Sequence, residues 1–178
     1  MLVVANWAYR PPWAGVLGGV VELHRPDVSL IDRTKIQAEV LVPVLKAMER
    51  ELGVERARTV VREALASEFR QLARDWVAEA NGDQMAAFVR FAAYSNADEP
   101  LEYEPRDAAD GEMRFDVVTC QYAQFFQELG EPELGFLLVC SADGPIAEGL
   151  GVGFERSQTL MQGGTHCDFR YVLSANDG

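Results

Sequence analysis

Residues 101–120 read LEYEPRDAADGEMRFDVVTC, and they change the period of the chain. Leu101 and Tyr103 alternate with Glu102 and Glu104, and Met113, Phe115 and Val117 alternate with Glu112, Arg114 and Asp116. Apolar residues at every second position mark half-buried strands. Arg106 to Gly111 between them reads as a hairpin loop.

Upstream the spacing is helical. Asp32 offers a cap, apolar Ile36, Val40, Leu41, Val44, Leu45, Met48 and Leu52 follow, and Gly53 stands where a helix closes. Pro43 is expected to kink that helix. A second helix is expected from about Glu55 to Ala80, with Ala57, Val61, Ala64, Leu65, Leu72, Trp76 and Val77 on one stripe, and Asn81-Gly82 ends it. A short third helix runs through Met85, Phe88, Val89 and Ala92, and Ser95 to Pro100 reads as a loop.

Downstream, Thr119 can cap a helix containing Cys120, and Pro132 suits the first turn of another that ends near Cys140. Phe154 to Met161 and Thr165 to Leu173 read as two strands joined by a Gln162-Gly163-Gly164 turn. The expected fold is α+β: N-terminal helices packed on a mainly antiparallel sheet, with an internal small-molecule pocket. One domain spans 1–178, with residues 1–30 as an aromatic arm carrying Trp7, Trp13 and His24 and residues 31–178 as the body.

Composition narrows the function. A formal charge of −12 repels phosphate backbones and anionic bilayers, so neither nucleic acid nor a membrane is an expected partner. No run approaches the roughly 18 apolar residues of a membrane span. The start lacks a basic targeting region, and the expected location is the cytoplasm. Three cysteines, an odd number with no CxxC, do not form a disulfide framework.

Those cysteines carry the candidate chemistry. On the last strand Cys167, Phe169, Tyr171 and Leu173 share one face and His166, Asp168 and Arg170 the other. The apolar face should meet the helices, where Cys120 and Cys140 can join Cys167. Asp143 lies in a turn after Cys140, placed either as an Asx-turn residue or as a base that holds water. Cys120, Cys140, Cys167 and His166 would suit zinc by donor type but not by spacing, because adjacent strand residues diverge. No cofactor is therefore expected, with zinc the alternative. Gly149-x-Gly151-x-Gly153 departs from the dinucleotide fingerprint, with Phe154 where its last glycine belongs, and reads as a connection between helix and strand.

The series TCQYAQFFQELGEPELG at 119–135, CSAD at 140–143 and QTLMQGGTHCDFRY at 158–171 resembles the L-2-amino-thiazoline-4-carboxylic acid hydrolase family. KIQAEVLVPVLKAMERELG at 35–53 resembles it more loosely. The resemblance implies hydrolytic opening of a small cyclic amidine or thiazoline carrying a carboxylate, in sulfur or natural-product metabolism. Carried over by position, the motif residues are Cys120, Cys140, Asp143, His166, Cys167, Asp168 and Arg170. The candidate catalytic residues are Cys167, Cys140, Asp143, His166 and Asp168, and the candidate substrate contacts are Cys120, Tyr122, Arg156 and Arg170, either arginine being able to clamp a carboxylate. Cys167 and Cys140 are the candidate nucleophiles, with an Asp143-activated water as the alternative attacker.

GGTHCDF at 163–169 is also distantly similar to the closing strands of vinyl-reductase-like ligand-binding domains, which implies an internal pocket and a homodimer. Arg156 and Thr159 stand where zinc-binding members offer an acid and a cysteine. The rival reading is a module that binds a small molecule, or a dimeric partner, without catalysis.

Overall fold

The computed structural model describes residues 28–96 and 99–173, so Trp7, Trp13 and His24 of the expected arm lie outside the described residues. Helix α1 (Leu30–Leu52) starts one turn earlier than Asp32 suggests, because Ser29 is the cap and its hydroxyl accepts the Asp32 amide at 3.0 Å. The helix runs through Pro43 as one element and closes at Gly53.

Its buried face differs from the expected one. Ile31, Ala38, Val42 and Leu45 point into the core beside Tyr122, Phe126, Leu134 and Leu137, while Ile36, Val40, Leu41 and Val44 face outward. Both sides of α1 are apolar. Periodicity finds such a helix but does not choose its inner side, and here the small Ala38 lies on the side that packs.

Helices α2 (Val54–Glu79) and α3 (Gln84–Ser95) follow, α3 capped by Asp83. Strands β1 (Leu101–Pro105) and β2 (Glu112–Cys120) form the expected hairpin. Next come α4 (Gln121–Glu128), α5 (Pro132–Leu138), a 3₁₀ turn (Cys140–Ala142) and α6 (Asp143–Leu150). Strands β3 (Gly153–Glu155) and β4 (Cys167–Val172) complete an antiparallel sheet of order β1-β2-β4-β3.

Register divides the sheet into two chemistries. Phe115 lies opposite Phe169 and Met113 opposite Tyr171, and the Phe115 and Phe169 rings stack at 5.1 Å. On the other face Asp116 lies opposite Asp168 and Arg114 opposite Arg170. Like charges placed directly across are costly unless each finds another partner.

Three expectations are corrected. Cys120, rather than Thr119, caps α4, its sulfur accepting the Ala123 amide at 3.4 Å. Asp143 opens α6 instead of lying in a turn. The strand expected over 154–161 stops at Glu155, because the Asp168 carboxylate draws in the Ser157 amide (3.0 Å), the Ser157 hydroxyl (2.5 Å) and the Gln158 amide (2.8 Å). Thr159 then caps a 3₁₀ turn (Leu160–Gln162). Side-chain capture of backbone donors here displaces the ladder.

The three spaced glycines are structural. A Cβ on Gly149 would sit 2.5 Å from the Arg70 carbonyl and 2.6 Å from Ala73 Cβ, so its absence lets α6 cross closely over α2. Gly151 ends α6 at φ 74°, in the left-handed region. Gly149→Ala should therefore lower stability by about 1–3 kcal/mol despite alanine's better helix propensity, since a backbone carbonyl cannot rotate away. Urea denaturation midpoints of the two proteins test this.

Candidate active site

The start of α6 and the end of β3 meet through a single ion pair. Arg156 Nη1 donates to the Asp143 carboxylate, and Nη2 donates to the Cys140 carbonyl at 3.0 Å. Their side chains are 8% and 20% exposed, so the guanidinium is enclosed while the carboxylate keeps an opening to solvent. Three rings surround the guanidinium, with centroids at 5.8 Å (Phe136), 5.6 Å (Phe154) and 5.3 Å (Phe169). An aromatic box of this kind holds a cation by its ring faces and excludes water.

Burial dominates the Asp143 carboxyl and pushes it up to about 6, against the opposing pull of Arg156. The base therefore changes charge close to neutrality. Its charge also reaches Cys120, Cys140 and Cys167, and beyond them Tyr103 and Tyr171. The three cysteines, from the end of β2, the turn before α6 and the start of β4, thus lie within electrostatic reach of one carboxylate.

None of the three sulfurs is a ready nucleophile. Burial pushes the Cys120 thiol up to about 11 and lifts Cys140 and Cys167 above the ordinary thiol range. A thiol so placed is protonated at neutral pH, and the thiolate is the form that attacks. Cys120 caps α4 and the Cys167 sulfur accepts the Leu160 amide at 3.2 Å, so two of the three also hold backbone in place.

Two hollows adjoin the cluster. One of about 730 Å³ is lined by Phe154, Arg156 and Phe169 together with the charged Arg106, Asp116, Asp168 and Arg170. The other, of about 250 Å³, is lined by Cys120, Gln124, Gln127 and the Gly163-Gly164 pair.

A family model described as L-2-amino-thiazoline-4-carboxylic acid hydrolase matches residues 33–171 of the 178-residue chain. The chain belongs to that family. The match takes in α1 from Arg33 onward and every later element to the end of β4 but its last residue, so the Asp143 cluster lies within the shared region. The family is named for a hydrolase, and a hydrolase of a small molecule is the activity the match supports. No curated protein matches the chain. No helix among the described residues is long and apolar enough to cross a membrane.

Within this hydrolase-family chain the other sequence candidates fall elsewhere. His166 lies with Asp116 at 3.5 Å, Gln158 at 3.2 Å and Thr165 at 3.0 Å. Asp168 holds the Ser157 and Gln158 donors, and Arg170 pairs with Glu112 and Glu155. These belong to the charged face of the sheet, from which Asp168 adds its charge to the field at Cys167. Tyr122 is buried at the start of α4.

Among the described residues no three His, Cys, Asp or Glu side chains gather as a metal-binding set. Sequence reasoning missed the aromatic box. Phe154 and Phe169 carried a signal in strand alternation, whereas Phe136, on α5, carried none.

Proposed function

We propose that this chain opens a small cyclic amidine of the 2-amino-thiazoline-4-carboxylate type by attack of an activated water at the C=N carbon. Asp143 is the base. In its ionised form it takes a proton from water, and the oxygen bonds to the amidine carbon as the C=N electron pair moves to the ring nitrogen. Asp143 passes that proton to the ring nitrogen, then takes the proton of the new hydroxyl as C=O forms and the ring C–N bond breaks, and returns it to the departing nitrogen, which leaves as the amine.

Arg156 holds the carboxylate in one orientation and directs its remaining N–H groups toward the substrate carboxylate. Arg170, already taken by two glutamates, is left to the scaffold, as are His166 and Asp168. The cysteines shape the site and line its approach.

The observation that carries this reading is the Asp143–Arg156 pair: a carboxyl brought up to about 6, its side chain 20% exposed, held by a guanidinium that three rings enclose. Thiolate attack is the less favoured mechanism, because burial raises all three thiols. All three are free thiols, which suits a reducing compartment and makes the cytoplasm the proposed location.

The test is incubation with L-2-amino-thiazoline-4-carboxylate and related cyclic amidines, following ring opening by mass spectrometry. Wild type should turn over at least one of them, and folded Cys167→Ala and Cys140→Ala should stay within about tenfold of it. A wild type inert on all of them would overturn the activity. A loss of about 10³-fold in either cysteine variant would move the attack to sulfur.

A further inference from the structure

Helix α1 has two apolar sides, and the core covers one of them. Opposite Ile31, Ala38, Val42 and Leu45, a stripe of Ile36 (56% exposed), Val40 (63%) and Val44 (49%) runs along the outside, flanked by Leu41 (40%) and continued by Pro43 and Ala47. A helix apolar on both sides is ordinarily covered on both.

We propose that a second copy of this chain covers the stripe, α1 against α1 in antiparallel arrangement about a two-fold axis. The charges on the helix point to this occupant. At one end of the stripe stands Arg33 and at the other Glu51, on the same side of the helix, and neither takes part in an ion pair among the described residues. An axis between Val40 and Val44 sets Val40 of one copy on Val44 of the other, Ile36 on the small Ala47, and Arg33 beside Glu51 at both ends. A self-complementary patch of this kind is what a closed two-fold contact requires.

Overall charge agrees. The chain carries −12, yet α1 balances Arg33, Lys35, Lys46 and Arg50 against Asp32, Glu39, Glu49 and Glu51, so copies meeting on this helix meet on a neutral surface.

The experiment is sedimentation velocity of the full chain over a micromolar range, with circular dichroism to confirm folding. Wild type should be a dimer and Val40→Glu a folded monomer. Arg33→Glu and Glu51→Arg should each weaken the dimer about tenfold, more at low salt, because each sets like charges together twice. An equimolar mixture of those two variants restores both ion pairs across a heterodimer and should associate as wild type does.

A monomeric wild type, with the stripe covered by residues 1–27 of its own chain or left open, would overturn the proposal. So would a dimer that survives Val40→Glu, or a mixture that associates no better than its components. Ring opening by a monomeric wild type would leave the proposed function standing while removing this one.

Discussion

Asp143→Asn is expected to lower kcat/KM for ring opening by about 10²–10⁴-fold, the usual contribution of a positioned base. The amide is nearly isosteric and still accepts from Arg156, so the fold should persist. In wild type the activity should rise with pH through about 6 as Asp143 ionises, and this acid limb should vanish with the residual rate of the variant. Stability should move the other way.

The folded carboxyl titrates above its ordinary 3.8, so the native state binds the proton more tightly than the unfolded chain between that value and about 6. Its contribution to stability is therefore full below the ordinary value and declines as pH rises through the folded one. Rate profiles and melting curves over pH 4–8 should show opposite slopes in wild type, with the melting component absent from Asp143→Asn. Parallel slopes would remove Asp143 from the role of base.

The largest loss of stability is expected from Arg156→Ala, about 3 kcal/mol by urea denaturation. Removing one member of an enclosed pair strands the other, and Asp143 keeps only 20% exposure with which to recover solvation. The same change empties the box of Phe136, Phe154 and Phe169 and frees the Cys140 carbonyl. Without the guanidinium the carboxyl rises further, so any remaining acid limb should shift to higher pH. Arg156→Lys keeps the charge but not the planar fork, and should recover only part of the stability. A variant as stable as wild type would mean that the pair carries no weight in the fold.

Alternation along residues 101–120 and 167–172 foretold the hairpin, the last strand and the division of the sheet into aromatic and charged faces, because strand geometry is local. What escaped needed contacts between distant residues. The side of α1 that turns inward depends on α4 and α5, both apolar choices being equal in sequence. The stretch after Glu155 has a strand's composition, yet it is pulled from the ladder by an aspartate ten residues ahead of Gln158. Asp143 and Arg156 lie thirteen residues apart and meet only because α6 runs out and β3 returns, a course that Gly149 permits by letting α6 lie close on α2. Of the candidate site, residue types were legible and partnerships were not.

Asp168 has a consequence for how the molecule meets acid. Although burial opposes ionisation, the Ser157 and Gln158 donors prevail and hold this carboxyl below its customary value. Its tether thus slackens only under conditions more acidic than those in which Asp143 takes up its proton. Burial lifts one carboxyl while hydrogen-bond donors lower the other, so mild acidity is expected to silence the proposed base and leave this tether fastened.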